Sequence, residues 1–108
     1  MRRVIIESPY AGDVDANVEY ARACLRDSLS RGEAPIALHL LYTQPGVLSD
    51  DVPEERRLGI DAGLAWRGVA DATVVYIDRG ISPGMKYRIA LTARDGKQIE
   101  YRSITNVL

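Results

Sequence analysis

The chain has 108 residues, with 14 Lys and Arg against 15 Asp and Glu and a net charge of -1. This length predicts one domain over residues 1–108, and the charge argues against duplex nucleic acid as a partner, because phosphate binding needs clustered cations. The single cysteine, Cys24, excludes an internal disulfide, and no apolar run reaches the roughly 20 residues of a membrane span. We therefore expect a cytoplasmic protein without a membrane partner.

The first half of the chain begins as strand, helix, strand. Residues 4–6 are a short β-branched strand that ends before Pro9. The following helix begins near Asp13 or Asp15, either of which can cap its exposed N–H groups. Residues 34–41 form a second apolar run, which predicts a buried strand with Pro35 at its start.

The second half continues the alternation. Asp51 and Glu54 have the spacing of a capping box and predict the second helix start, and residues 72–77 are the next strand. Ser82 caps a third helix, and residues 99–104 are a last strand. The apolar positions expected to face the sheet are Val18, Ala21, Leu25 and Leu29 in the first helix, Leu58, Ala62, Ala65 and Val69 in the second, and Met85, Ile89 and Ala93 in the third.

The order is thus β-α-β-α-β-α-β. Strands that alternate with helices imply a parallel sheet joined by right-handed crossovers, with helices on both faces. The sequence therefore predicts an α/β fold, a three-layer flavodoxin- or Rossmann-like domain with a four-stranded parallel sheet.

Candidate site residues follow three of these strands, and parallel sheets bind ligands at the carboxyl ends of their strands. They are Ser8, Pro9, Tyr10 and Gly12 after the first strand, His39 and Tyr42 after the second, and Asp78, Ser82 and Gly84 after the third. Tyr10 is suited to contact a base or a sugar, and Asp78 to orient a ribose or a water. The helix start at Ser82 is suited to an anion, since its N–H groups and dipole point outward.

Some of these residues also have a purely structural interpretation. Ser82 is most simply a helix cap, and His39 a packed histidine. The acidic run at residues 50–55 is typical of a solvated helix start rather than a metal site, and Cys24 of inert core filling. We assign the chain no metal and no cofactor.

Three stretches resemble the nucleoside 2-deoxyribosyltransferase-like family, which includes small phage and bacterial members of unassigned function. They are residues 4–10 (VIIESPY) with Asn17 and Val18 opening a helix, residues 34–39 (APIALH), and residues 70–75 (ADATVV) followed by Asp78 and residues 82–85 (SPGM). The resemblance extends over nearly the whole chain. It places Met85 at the entry of the catalytic helix, among the substrate-binding candidates. By analogy it implies a homodimer or higher homo-oligomer, and it suggests a phage- or prophage-encoded protein in the host cytoplasm as one origin.

The resemblance implies glycosidic chemistry, in which a carboxylate attacks the anomeric carbon of a 2-deoxyribose and releases the base. The family nucleophile is a Glu four residues after the Gly that opens the helix. From Gly84 this count reaches Arg88, which stays protonated and cannot replace a carboxylate. Residues 84–94 contain no acid, so Asp78 is the best stand-in for a catalytic acid. We expect Arg88 to be a solvated helix residue, with pairing to a phosphate as the alternative.

We therefore predict a domain that binds a nucleoside or nucleotide, with N-glycosidic hydrolysis or transfer retained if another acid replaces the Glu. One alternative is a non-catalytic nucleotide sensor or inhibitor, which would explain the Arg. Another is an interaction protein that uses Leu40, Leu41 and Tyr42 as a contact surface.

Overall fold

The computed structural model describes residues 1–104. Within them it has four strands, β1 (Arg2–Glu7), β2 (Glu33–Ile36), β3 (Ala72–Tyr76) and β4 (Ile99–Arg102), three helices, α1 (Val14–Ser30), α2 (Pro53–Val69) and α3 (Pro83–Arg94), and a 3-10 turn at Leu38–Leu40. The single-domain prediction covers residues 1–108, of which 105–108 lie outside the described part. No helix in residues 1–104 combines the length and the apolar character needed to cross a membrane.

The four strands form one parallel sheet in the order β2-β1-β3-β4. Ile5 of β1 pairs with Ile36 of β2 on one side and with Thr73 of β3 on the other, so β1 is a central strand. This arrangement confirms the predicted α/β fold with a four-stranded parallel sheet. Because β1 and β3 lie in the middle of the sheet, their carboxyl ends are adjacent, where ligands bind in such folds.

Side-chain alternation in β1 divides the core into two faces. Val4 and Ile6 belong to the cluster that packs on α1, together with Tyr20, Cys24, Ala37, Ala72, Val74 and Tyr76. Ile5 and Glu7 point to the opposite face, which α2 and α3 cover. A charged residue therefore lies in the core on the α2 and α3 face.

A network of charged and polar side chains joins all four strands. Arg102 of β4 donates to both oxygens of Glu33 of β2, at 2.7 and 2.6 Å, and to the Tyr76 hydroxyl of β3 at 3.3 Å. Arg2 of β1 also pairs with Glu33, at 3.3 Å. These bonds, chiefly those from Arg102, lower the pKa of the Glu33 carboxyl to about 2.

The second strand is shorter than predicted. β2 ends at Ile36, and the backbone N–H of Leu40 then donates to the Ala37 carbonyl at 3.0 Å, which closes the 3-10 turn. His39 therefore lies in a tight turn beyond the strand, and its side chain does not follow the alternating directions of strand residues.

The helix starts agree only partly with the sequence patterns. Asp13 caps α1 through the Ala16 N–H at 3.3 Å, and Ser82 caps α3 through the Met85 N–H at 3.2 Å, as predicted. The capping box predicted at Asp51 is wrong, because Val52 is the N-cap of α2 and makes no side-chain cap bond.

The predicted buried faces of the helices are partly wrong. In α2, Leu58 and Val69 are each 58% exposed, and the buried residues are Gly63 and Arg67. The buried face of α2 is therefore displaced by about one residue, roughly 100° around the helix axis, from the face predicted by the apolar positions. Leu29 in α1 and Ala93 in α3 are also exposed. The reason in α2 is the charged residue in the core, which Arg67 must reach.

Candidate arginine and carboxylate site

Glu7 is the carboxyl-terminal residue of β1 and is 1% exposed. Arg88 of α3 donates through Nε to its two carboxylate oxygens at 2.9 and 3.2 Å, and Arg67 of α2 donates to Oε2. Arg67 is itself 5% exposed, and the Arg88 side chain 23%. A buried carboxylate requires partners of this kind, since an unpaired buried charge is very costly. The expectation that Arg88 is a solvated helix residue is therefore wrong.

Each of the two arginines lies over a glycine four residues earlier in its own helix. A Cβ on Gly63 would lie 2.7 Å from Nη1 of Arg67, and one on Gly84 would lie 3.2 Å from Nη1 of Arg88. Residues four apart are neighbours on a helix surface, so these glycines leave the space that the guanidinium groups fill. The space above Gly84, one of the candidate site residues, is thus occupied by Arg88.

The charge at this cluster is positive, with two guanidinium groups on one carboxylate. Nε of Arg67 is buried and has no hydrogen-bond partner among residues 1–104. Buried N–H donors are nearly always paired, and leaving one unpaired costs about 1–3 kcal/mol. The cluster therefore has an unused donor as well as an excess of positive charge.

His39 lies beside this cluster. Its Nε2 is 3.0 Å from Oγ of the fully buried Ser8, and its ring meets the ring of Tyr10 edge to face, with centroids 6.1 Å apart. Burial lowers the pKa of His39 to about 4; Glu7 opposes this shift, whereas Arg88 and Arg67 add to it. The imidazole is therefore neutral at pH 7.

A small pocket opens onto the cluster, and we call it the inner pocket. It measures about 70 Å³ and is lined by Leu38, His39, Tyr42, Thr43, Leu48, Ser49, Asp50, Glu55, Arg56, Gly59, Ile60, Gly63, Arg67 and Arg88. Since one water molecule needs a cavity of some 10–15 Å³, the pocket has room for a group of a few heavy atoms.

A larger surface pocket, the outer cleft, lies between residues 10–14 and residues 43–55 and measures about 530 Å³. Tyr10 spans it, because its hydroxyl donates to the Thr43 carbonyl at 3.1 Å. The residues that line both pockets are Thr43, Leu48, Ser49, Asp50 and Glu55. The two pockets therefore adjoin, and the outer one has the size of a site for a small organic molecule.

The candidates after β3 lie elsewhere. Asp78 accepts hydrogen bonds from the Tyr20 hydroxyl at 2.6 Å, from the Ile104 N–H at 3.1 Å and from the Ser103 hydroxyl, so it fastens α1 and the chain after β4 to the end of β3. Ser82 forms a reciprocal cap with Met85, whose sulfur accepts from the Ser82 N–H at 3.4 Å. None of these three residues lines the inner pocket or the outer cleft.

A protein-family model described as "Domain of unknown function (DUF7768)" matches residues 2–102, nearly the whole chain. The chain belongs to the DUF7768 family. Its sequence has no match among curated proteins.

The fold of this DUF7768 domain is similar to that of a 2-deoxyribosyltransferase from the psychrotolerant bacterium Bacillus psychrosaccharolyticus. The TM-score is 0.64, with 94% of this chain and 72% of the other covered and 20% sequence identity. At that identity the similarity supports a common fold. The resemblance seen in the sequence is thus confirmed for the architecture of the DUF7768 domain.

Several predicted site residues of the DUF7768 domain lie in the two pockets. Tyr10 and Gly12 line the outer cleft, and His39 and Tyr42 the inner pocket. Ser8 lies behind His39, and Pro9 follows it in the loop. The binding roles of all these residues, and of Asp78, Ser82, Gly84 and Met85, remain predictions.

The sequence reasoning missed the centre of the site, which is Glu7 with Arg67, and it missed Asp50 and Glu55 as lining residues. Two signals were available. Glu7 is an acid directly after the β-branched residues 4–6, and the segments GLAWR (residues 63–67) and GMKYR (residues 84–88) repeat a Gly and an Arg at four-residue spacing. Within residues 1–104 no three His, Cys, Asp or Glu side chains are grouped as a metal site.

Proposed function

We propose that this DUF7768 domain binds a nucleoside or nucleotide in the outer cleft and the adjoining inner pocket and does not cleave its glycosidic bond. The cleft volume of about 530 Å³ supports a ligand of this size. The cleft lies beyond the carboxyl ends of β1 and β2, at the edge of the sheet where parallel α/β folds bind ligands, although beside rather than at the β1–β3 junction. The similarity to a 2-deoxyribosyltransferase fold supports the same ligand class.

The pairing of Arg88 with Glu7 is the main reason to expect that the domain does not cleave the glycosidic bond. A glycosidic nucleophile must approach the anomeric carbon to about 3–3.5 Å with a free lone pair. At the position where the resemblance calls for the nucleophilic Glu, this chain has Arg88. The carboxylate that Arg88 contacts is Glu7, which is 1% exposed and is bonded by the guanidinium groups of Arg67 and Arg88. Glu7 cannot reach a sugar from there, so we expect binding without base release.

The lining side chains suit the parts of such a ligand. The Tyr10 ring in the outer cleft offers an apolar face to a base. The carboxylates of Asp50 and Glu55, where the two pockets meet, can accept hydrogen bonds from sugar hydroxyls. Ser8 is fully buried and bonded to His39, so its contribution is to hold the imidazole in place.

A second candidate function is N-glycosidic hydrolysis with a different acid. It is favoured by Asp50 and Glu55, since a pair of carboxylates beside a sugar is the usual equipment of glycosidases. Glu55 already accepts the Ser49 N–H at 2.9 Å, which holds its carboxylate in place.

The test is a panel of ribo- and deoxynucleosides and their 5′-monophosphates, with binding followed by calorimetry and base release by chromatography. We expect binding without free base. Base release that Asp50→Asn or Glu55→Gln abolishes would favour the hydrolase, and release that Asp78→Asn abolishes would favour a relocated acid at that residue. If no compound in the panel binds, the proposed function is wrong.

A further inference from the structure

We propose that the inner pocket is a receptor for a phosphate group and that the ligand of this domain is therefore a nucleoside monophosphate rather than a nucleoside. This inference rests on the proposed function and names the substrate class. The phosphate would lie against Arg67 and Arg88, with the sugar and base extending into the outer cleft.

The first argument is the unused donor. Arg67 lines the inner pocket, is 5% exposed, and its Nε has no partner among residues 1–104, although its Nη2 is held by Glu7. A guanidinium group binds phosphate best through two adjacent N–H groups in one plane. Glu7 alone does not use all the donors of Arg67, which favours an acceptor-rich anion in the pocket that Arg67 lines.

The second argument is the placement of charge. Arg67 and Arg88 are held side by side at Glu7, and a carboxylate shared by two arginines leaves one positive charge uncompensated. The acids that line the pocket, Asp50 and Glu55, lie where it meets the outer cleft. Asp50 is exposed and Glu55 is half-buried, so water and salt screen their charges more than the charge of the buried Arg67, which acts at close range in a low dielectric.

The third argument is size. About 70 Å³ suits a group of a few heavy atoms such as phosphate and is too small for a nucleoside, for which the adjoining cleft of about 530 Å³ has room. A small anionic group joined to a larger polar body therefore fits the two volumes together. His39, neutral at pH 7, adds no competing charge and lines the same pocket.

Glu7 has a positioning role in this arrangement. It fixes both guanidinium groups from below, so little side-chain entropy is left to lose when a phosphate arrives. The two glycines act in the same way, since Gly63 and Gly84 leave the arginines room to lie flat on their helices.

The experiment compares each nucleoside with its 5′-monophosphate by calorimetry at constant ionic strength, on the wild type, on Arg88→Gln and on Arg94→Gln. Arg94 lies on the same helix, where it bonds its neighbour Asp95, and provides the matched charge control. We expect the monophosphate to bind at least about tenfold tighter to the wild type and to Arg94→Gln, and this ratio to fall to about one in Arg88→Gln. Circular dichroism checks that the variants fold.

A second measurement needs no variant. Inorganic phosphate should raise the melting temperature of the wild type more than chloride of equal ionic strength, and should compete with the monophosphate. Equal affinity for nucleoside and monophosphate would overturn the phosphate receptor and leave the proposed function standing. Stabilisation by inorganic phosphate with no nucleotide binding would overturn the proposed function and support the receptor. The absence of every effect would overturn both.

Discussion

The carboxylate of Glu7 accepts hydrogen bonds from Nε of Arg88 at 2.9 and 3.2 Å, which joins the end of β1 to the first turns of α3. The two residues are 81 positions apart in the chain. Where the family resemblance calls for a carboxylate on α3, this chain has the cation on the helix and the carboxylate on the strand. An acid is therefore present at this place, but it serves as the counter-ion of two arginines.

Replacing Glu7 by Gln tests this pairing. The change leaves Arg67 and Arg88 facing each other without a counter-ion, and removing one partner of a buried ion pair costs about 3–5 kcal/mol. We expect a loss of that size in the free energy of unfolding, measured by urea titration. The double variant Glu7→Gln/Arg88→Gln should be more stable than Glu7→Gln alone, because one of the two uncompensated charges is gone. Equal stability of the two would contradict the pairing.

Gly63 offers a test of the packing of Arg67. An alanine there brings a Cβ to 2.7 Å from Nη1, so the guanidinium group must move off Glu7. Gly68, in the same helix, has no atom within 4 Å of an added Cβ. We expect Gly68→Ala to stabilise by about 0.5–1 kcal/mol through helix propensity, and Gly63→Ala to be net destabilising, both by thermal or chemical unfolding. If the two variants gain equally, Arg67 does not need the space.

The sequence predicted the architecture because the apolar runs and the caps are local signals. The strand at residues 72–77, the caps at Asp13 and Ser82, and the alternation of elements follow from spacing and side-chain chemistry within a few residues. The end of β2 was missed because a 3-10 turn and a strand both accept the apolar run that contains His39. Local pattern does not distinguish the two.

The helix faces and the centre of the site were harder to predict for a common reason. An apolar stripe predicts a buried face when the core is apolar, but α2 buries Gly63 and Arg67 because Glu7 lies beneath them. The partner of Glu7 is set by tertiary contact over 60 positions, which no periodicity in one sequence expresses. A prediction based on hydrophobic spacing therefore does not find polar side chains that pair with one another across the core.

The pH dependence of stability tests the environment of His39. Its pKa falls from an ordinary 6.5 to about 4 in the fold, so the unfolded chain takes up the proton first as the pH drops. The contribution of His39 to the free energy of unfolding is therefore fully present above pH 6.5 and is lost as the pH falls from 6.5 to 4. The free energy of unfolding changes by at most about 1.4 kcal/mol per pH unit in this range.

His39→Gln should remove most of the slope between pH 6.5 and 4.5, above the range in which the carboxylates take up protons, in urea titrations at a series of pH values. Glu33→Gln is the comparison, because the pKa of Glu33 is lowered to about 2 and its stabilising effect is lost as the pH falls from 4.5 toward 2. A His39→Gln protein that keeps the wild-type slope between pH 6.5 and 4.5 would show that the fold does not hold the imidazole in its neutral form.

Asp78 and Tyr20 allow the structural and catalytic interpretations of Asp78 to be separated. The Tyr20 hydroxyl donates to Oδ2 at 2.6 Å and accepts the Asp78 N–H at 3.0 Å, and Asp78 also holds the Ile104 N–H. An amide in place of the carboxylate loses an ionised acceptor, so we expect Asp78→Asn to cost about 1–3 kcal/mol in unfolding free energy. Tyr20→Phe should cost a similar amount, and the double variant less than the sum, because the two changes remove one shared interaction.

Affinity for a nucleotide should stay within about twofold of the wild type in Asp78→Asn, since the carboxylate lies outside both pockets. A tenfold loss of affinity with the fold intact would instead place Asp78 in the binding site.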